Sequence, residues 1–396
     1  MRILVANHHR QRAGGTEAYL DGLLPALDAR GVGIAFLHEA PPGENAIGLP
    51  PGAPSLCVAR MGLPEAIAAA RRFAPDLVFH NGVSDPRTLA ALASLAPLVH
   101  FAHNYYGTCV SGEKLRKWPA PVPCERRFGA ACLLAYLPER CGGLSPVTML
   151  RQYRIESARL DLLGRAAAIV ANSTYIRGEY VRHGFPPDRV FTANLFVAPG
   201  PEPAPAPDLS PACRLLYTGR MVSPKGGAML LDALEPVARR LDRPVEVTFA
   251  GDGPERAGWR KRAAAIRDTR VTVRFEPWVS PAGLRRLAAS HHVLVMPSLW
   301  PEPFGLVGLE LGAIGLPTAA FASGGIPDWL TDGENGHLAP NDPPRPEALA
   351  EAVARCFQSE PHYRRLREGA AARAREFNAD AHLDRLLPVF HSVVSQ

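Results

Sequence analysis

Val293-Leu294-Val295-Met296-Pro297-Ser298-Leu299-Trp300-Pro301-Glu302-Pro303-Phe304-Gly305-Leu306-Val307-Gly308-Leu309-Glu310 is the stretch whose reading decides the fold. Its opening apolar run, stopped by proline, has the pattern of a short buried strand. Glu302 stands between two prolines, which favours an extended loop there. From Gly305 apolar and small residues continue through Glu310 to Ala313 with no breaker stronger than glycine, so a helix is expected. The unit is strand, loop, helix, with Glu302 on the loop and Glu310 in the helix. A helix entered this way presents unpaired N–H groups and a partial positive charge, a place for an anion such as a diphosphate. Two carboxylates eight residues apart are left to accept hydrogen bonds from hydroxyls. The competing reading is an amphipathic helix and a loop, each with an exposed glutamate.

The same alternation of short strands and helices extends both ways. Upstream, strands are expected at Ile3–Asn7, Val32–His38, Leu77–His80, Leu98–His103, Ala168–Ser173 and Val190–Asn194, with helices at 16–27, 64–74 and 146–163. After residue 212 the pattern restarts, with strands at Arg214–Thr218, Val245–Ala250, Val271–Phe275, Thr318–Phe321 and Gly336–Ala339. Such alternation implies parallel, doubly wound sheets whose ligands bind at the carboxyl ends of the strands. Residues 198–211 hold six prolines and read as a stiff linker. The expected domains are 1–197, with an insertion at about 104–143, and 212–375, joined to a terminal helix at 376–396 crossing back to the first domain.

The chain has 396 residues, room for two cores, and 47% hydrophobic against 21% charged residues is ordinary for a globular protein. No apolar run reaches the roughly 18 residues of a membrane span. A cytoplasmic protein is expected. Net charge is +6, and between residues 101 and 160 nine Lys/Arg face four acids. That basic segment suits an anionic surface, either a lipid headgroup layer or a phosphorylated acceptor, so peripheral contact with an anionic membrane at the inner face is a further expectation. No zinc-finger spacing or interleaving of aromatics with glycine and lysine suggests nucleic acid. Of seven cysteines, Cys57, Cys213 and Cys356 read as small buried apolar groups. Cys109, Cys124, Cys132 and Cys141 crowd into the insertion but lack a Cys-x-x-Cys pair, so a structural metal there is left open.

Arg220 and Lys225 lie in a loop with glycines at 219, 226 and 227, directly after an expected strand. Two cations five residues apart on such a loop suit a diphosphate, arginine by its fork and lysine as a point charge. Neither half carries the Gly-x-Gly-x-x-Gly turn of a dinucleotide-binding dehydrogenase.

The set Thr218-Gly219-Arg220…Lys225-Gly226-Gly227, Phe249-Ala250-Gly251-Asp252-Gly253-Pro254, Glu302-Pro303-Phe304-Gly305-Leu306 with Glu310, and Gly324-Gly325-Ile326-Pro327-Asp328 resembles the retaining glycosyltransferases of family four, the glycosyl transferases group 1. Gly14-Gly15-Thr16-Glu17 and Ala171-Asn172-Ser173 resemble that family's first-domain landmarks. The resemblance implies the GT-B fold: α/β, with two doubly wound Rossmann-like domains facing across a cleft. It implies that Arg220 and Lys225 hold the diphosphate of a UDP- or GDP-linked sugar. Glu302 would accept hydrogen bonds from the sugar, and the backbone of Phe304, Gly305 and Leu306 would complete the cradle. Glu310 would bind the ribose, His103 would reach the sugar near the reaction centre, and Gly15 and Gly219 would let backbone approach the donor. Trp278 and Val279 would seat the base.

Asp-x-Asp, the usual sequence for holding a divalent metal on a diphosphate, is missing from the chain, so metal-independent transfer with no cofactor beyond the donor is expected. The acceptor would be a glycan, a lipid-linked sugar or a small molecule. His8, His9 and Arg10 are candidates for touching it. Asp328 stands where the family more often has glutamate, and Asn194-Leu195-Phe196-Val197 replaces the common Asn-Gly-Val-Asp. The alternatives are a sugar-nucleotide epimerase or hydrolase of the same fold, marked by turnover without acceptor, and a non-catalytic nucleotide-sugar or glycan-binding protein.

Overall fold

The computed structural model describes residues 1–12, 14–198, 205 and 207–395. Most of the proline-rich linker, residues 199–204 and 206, lies outside the described residues. The chain divides into two compact units: residues 1–114, 125–196 and 379–396 form one, and residues 115–124 and 197–378 the other.

In the first unit seven strands form one parallel sheet: β1 (Arg2–Asn7), β2 (Gly33–His38), β3 (Ser55–Cys57), β4 (Leu77–His80), β5 (Leu98–Ala102), β6 (Ala168–Ala171) and β7 (Val190–Thr192). Their order is β3-β2-β1-β4-β5-β6-β7. β3 was not among the expected strands, since three residues carry no readable period. The second unit repeats the plan with β8 (Cys213–Thr218), β9 (Val245–Ala250), β10 (Val271–Glu276), β11 (Val293–Met296), β12 (Thr318–Phe321) and β13 (Gly336–Ala339), in the order β10-β9-β8-β11-β12-β13. Each order reverses direction beside its first strand, β1 against β4 and β8 against β11. Loops leaving such neighbouring strands diverge and leave room for a ligand at the carboxyl edge.

Local chemistry explains the elements. β4, β5 and β6 are apolar or satisfied on both faces and wholly buried, as strands covered by helices must be. Helix Gly15–Ala29 buries Tyr19, Leu20, Leu23, Leu24 and Leu27, and Ser173 caps helix Thr174–Arg182 by accepting the Ile176 N–H at 3.2 Å. The last helix, Ala379–Val394, packs in the first unit against helix Gly15–Ala29. There the Tyr19 hydroxyl lies 2.9 Å from His382 Nε2, while His382 Nδ1 donates to the Asn194 carbonyl at 2.7 Å.

Two expectations need correction. The insertion at about 104–143, which breaks the strand–helix alternation and was expected to lie outside the core, has ordered and partly buried structure of its own. It contains a two-rung hairpin, Leu115–Arg116 with Val122–Pro123, and a helix, Ala131–Tyr136. Tyr105, Lys114 and Tyr136 are buried, and Lys114 pairs with buried Glu179 at 2.6 Å while donating to the Arg126 carbonyl at 2.7 Å. A lysine and a glutamate far apart in sequence can be buried only together, which sequence pattern does not reveal. The second correction concerns the helix after Glu302, expected from Gly305 to Ala313. It is six residues long, Val307–Gly312, with a Gly308 N–H to Gly305 C=O turn before it. So short a helix has a weak macrodipole.

The seven cysteines are free thiols. Among the described residues no group of three or more His, Cys, Asp or Glu is placed to hold a metal, and no helix is long and apolar enough to cross a membrane.

Candidate active site

The loops after β8 and β11 meet because those strands are neighbours. The chain after β8 turns at Gly226, whose φ is +70° and where a Cβ would lie 1.8 Å from the Pro297 carbonyl oxygen. Only glycine allows that approach. The Leu299 N–H donates to the Pro224 carbonyl at 2.9 Å and ties the two loops together. Lys225 is thereby delivered to Glu302: Nζ donates to Oε1 at 2.6 Å, and the Ser298 hydroxyl donates to the same oxygen at 2.5 Å. The ammonium also lies 5.2 Å from the centre of the Trp300 ring. Glu302 is only 4% exposed. Burial alone would raise its carboxyl; the Lys225 charge and the hydrogen bonds from Lys225 and Ser298 outweigh that and hold it below the ordinary glutamate value. Glu302 is thus an ionised hydrogen-bond acceptor.

The Gly-Gly-Ile-Pro turn holds this loop from behind. At Gly324, φ +61°, a Cβ would come 2.1 Å from the Glu302 carbonyl oxygen, and the Gly325 N–H donates to that oxygen at 2.7 Å. Trp329 comes next; its Nε1 donates to the Phe304 carbonyl at 2.7 Å, and its ring fills the space beside Gly308. Arg373 reaches the Asp328 carbonyl at 2.7 Å. Asp328 therefore sits at a structural anchor. Gly305 has φ +82°, which turns the chain into the short helix.

A pocket of about 610 Å³ opens beside this cluster, and Gly219, Arg220, Trp278, Val279, Arg285 and Glu310 are on its wall. Arg220 is exposed, and among the described residues its guanidinium has no acceptor; its backbone carbonyl accepts from the Tyr217 hydroxyl at 3.1 Å. Trp278 is 72% exposed, a large apolar ring left open at the rim. Glu310 faces the pocket's solvent, yet the surrounding walls raise its carboxyl above the ordinary glutamate value, against the pull of Arg285. Lys225, Glu302, Phe304, Gly305 and Leu306 are not on this wall and form the adjoining cluster. A free guanidinium, an acidic group and an open aromatic around one cavity can take a phosphate, a diol and a flat ring.

In the first unit His103 lies just past β5. Its Nε2 lies 2.9 Å from Asn81 Oδ1, and Asn81 Nδ2 donates to the Phe79 carbonyl at 3.2 Å. The amide oxygen must therefore accept, so Nε2 carries the proton and Nδ1 is left as an acceptor. Burial, with smaller repulsions from His100 and His382, pulls His103 down to about 3 and keeps it neutral. Gly15 opens helix Gly15–Ala29, and a Cβ there would meet nothing within 4 Å, so packing in its own unit does not demand glycine. His8 is held by Glu39 at 2.6 Å, and Arg10 spans to the Ile47 carbonyl at 3.1 Å and the Ser55 hydroxyl at 3.0 Å. Arg10 thus braces its loop.

Residues 212–359 match the family model described as glycosyl transferases group 1. The D-inositol 3-phosphate glycosyltransferase of Streptomyces coelicolor is 27% identical over 408 residues, covering 93% of this chain and 85% of that protein. Residues 212–359 are thus a group 1 glycosyl transferase region, and the chain is similar to glycosyltransferases over most of its length. A namesake from Streptomyces griseus is 34% identical, over 42% of this chain and 35% of that relative's length. A phosphatidyl-myo-inositol mannosyltransferase of Mycobacterium tuberculosis is 31% identical over 45% of this chain and 47% of its own. Among solved structures, Anabaena HepE in complex with UDP and glucose superimposes with TM-score 0.69 at 18% identity, over 99% of this chain and 100% of that one. The galactosyltransferase WaaB of the lipopolysaccharide outer core gives 0.69 at 13%, over 99% of each chain. At such identities these likenesses show the fold, GT-B.

Sequence reasoning about this glycosyltransferase missed Ser298, Trp300, Arg285 and Trp329. Ser298 and Trp300 flank Glu302 closely enough that a polar and an aromatic neighbour could have been singled out. Trp329 and Arg285 gave no local signal, because their roles depend on contacts with distant segments.

Proposed function

We propose that the chain transfers a hexose from a nucleoside-diphosphate sugar, UDP- or GDP-linked, to a hydroxyl acceptor, with retention and without a metal. The observation that carries this is the exposed Arg220 guanidinium on the wall of a 610 Å³ pocket shared with Glu310 and Trp278, next to the Lys225–Glu302–Ser298 cluster. Arg220 would bind the diphosphate, Glu310 the ribose hydroxyls, and Trp278 with Val279 the base. Lys225 spends one of its three donors on Glu302 and keeps others for phosphate oxygens. When the bond between the anomeric carbon and the phosphate oxygen breaks, negative charge builds on the diphosphate, and preorganised cations stabilise that state most. Positive charge from Arg220 and Lys225, together with the lack of an Asp-x-Asp sequence, supports a metal-free reaction.

Glu302 is engaged by Lys225 and Ser298, which suits an acceptor of sugar hydroxyl hydrogen bonds better than a nucleophile or an acid. Retention then proceeds by attack from the leaving-group side, the departing phosphate oxygen taking the acceptor's proton. His103, neutral with Nδ1 as acceptor, would receive a sugar hydroxyl. The relatives' activities favour an acceptor such as an inositol phosphate or a lipid-linked polyol. The reaction would run on the cytoplasmic side. The test is incubation with UDP- and GDP-sugars, measuring nucleotide binding and release with and without candidate acceptors. Failure to bind any nucleoside diphosphate sinks the reading; release at the same rate without acceptor makes the chain a hydrolase.

A further inference from the structure

Among the described residues, the large apolar side chains that remain exposed are not scattered. Apart from Trp118, Trp278 and Val394, they are Leu134, Leu144, Val147 and Leu150, all within one short stretch of the first unit. Helix Pro146–Leu163 explains why. Its Met149 and Tyr153 pack inward with Phe128 and Cys132 around Val110, Tyr136 and Cys141, and Gln152 accepts from the Tyr136 hydroxyl at 3.2 Å. At about 100° per residue, Val147, Leu150, Arg151 and Arg154 then fall on the opposite, outward face. Leu144 stands just before the helix, two residues ahead of Pro146, and Leu134 belongs to helix Ala131–Tyr136, which packs beside it. The outward face passes from apolar at its start to basic one turn later.

Charge is biased in the same way. Residues 125–154 hold Arg126, Arg127, Arg140, Arg151 and Arg154 against Glu125 and Glu139, and Glu139 is already paired with Arg126 at 2.9 Å. Arg151 and Arg154 are exposed. Folding leaves these four aliphatic groups in water although the same small subdomain has a core to bury Met149 and Tyr153. An apolar tip rimmed by arginines fits the boundary between lipid tails and anionic headgroups.

We propose that this surface docks the chain on an anionic lipid bilayer, inserting Leu134, Leu144, Val147 and Leu150 among the headgroups while Arg151 and Arg154 meet lipid phosphates. The surface uses none of the residues assigned to sugar transfer, so the inference stands or falls apart from the proposed function.

The test is sedimentation of the full chain with vesicles of phosphatidylcholine alone or with about a third phosphatidylglycerol, at low and high salt, with no sugar nucleotide present. Binding is expected to the anionic vesicles and to weaken with salt. L144S/V147S should bind about tenfold more weakly or worse, since each inserted side chain loses its apolar burial. R151A/R154A should bind about twenty-fivefold more weakly, at about fivefold per arginine removed near the surface. Both variants should keep the wild-type melting temperature, because the substituted side chains are exposed. Equal binding to both vesicle types, or variants that bind as the wild type does, would overturn the proposal. So would a wild-type dimer in sedimentation velocity that L144S/V147S turns into a monomer, which would assign the face to a second copy of the chain.

Discussion

Replacing Lys225 by methionine keeps the volume of the side chain and removes its charge beside a buried carboxylate. Glu302 would retain Ser298 at 2.5 Å but lose the ammonium at 2.6 Å. Breaking a buried pair by deleting one partner costs about 3–5 kcal/mol. Lys225 keeps 24% exposure and Ser298 stays in place, so about 2–3 kcal/mol is expected here. For a unit of this size that is a fall in melting temperature of about 5–10 °C. Acidification should separate this from generic damage. In the wild type the Glu302 carboxyl sits below its unfolded value, so its stabilisation is present above the unfolded carboxylate range and is lost as pH falls through the folded pKa. In K225M the sign reverses: burial without the ammonium raises the folded value above the unfolded one. The charged carboxylate is then a penalty at neutral pH, relieved as pH falls through the raised value. The stability gap between the two proteins should therefore be widest at neutral pH and close under acid conditions, and adding E302Q to K225M should restore much of the loss. Thermal melts at several pH values measure this directly. Activity should fall by about 150-fold, from about 3 kcal/mol of lost transition-state stabilisation. A K225M protein that melts as the wild type does, or one that E302Q fails to rescue, would refute the coupling of Lys225 to Glu302.

Arg220→Ala gives the complementary outcome: an exposed side chain with no acceptor among the described residues should leave the melting temperature within the range of about ±0.5 kcal/mol typical of surface changes, while turnover drops about 100-fold. For Glu310, whose carboxyl is raised, nucleotide affinity of the wild type should weaken at mildly acidic pH, before an ordinary glutamate would protonate. E310Q should lower that affinity about tenfold at neutral pH, by about 1.5 kcal/mol, and abolish its pH dependence, as calorimetric titration would show. Asn81→Ala frees the His103 tautomer. Turnover should fall about tenfold with nucleotide affinity unchanged, because about 1–3 kcal/mol rides on such a buried hydrogen bond. Equal losses in both quantities would make Asn81 a packing residue only.

Much of the fold was legible because local pattern and tertiary need agree. Strands buried on both faces read as short apolar runs, and the restart of that pattern after the proline-rich linker announced a second sheet. β3 and the order inside the insertion were not legible. Three residues hold no period, and Lys114 with Glu179 makes sense only once distant charges meet in a dry interior. At the site, the types and spacing of Arg220, Lys225, Glu302 and Glu310 showed where chemistry had to be. The chain alone gave them similar standing, as two cations and two acids on loops.

Tertiary structure separated them. Adjacency of β8 and β11 brings Lys225 onto Glu302 and leaves Arg220 free on the pocket wall with Glu310. The sequence by itself determined the strand–loop–helix units, the glycines at their turns and the residues able to hold an anion, because those depend on neighbours within a few positions. Which cation is spent on a carboxylate and which stays free, and which leucines remain in water, only the folded chain decided. Those outcomes are set by which groups burial brings within a few ångströms, and burial is a property of the whole sheet and its covering helices.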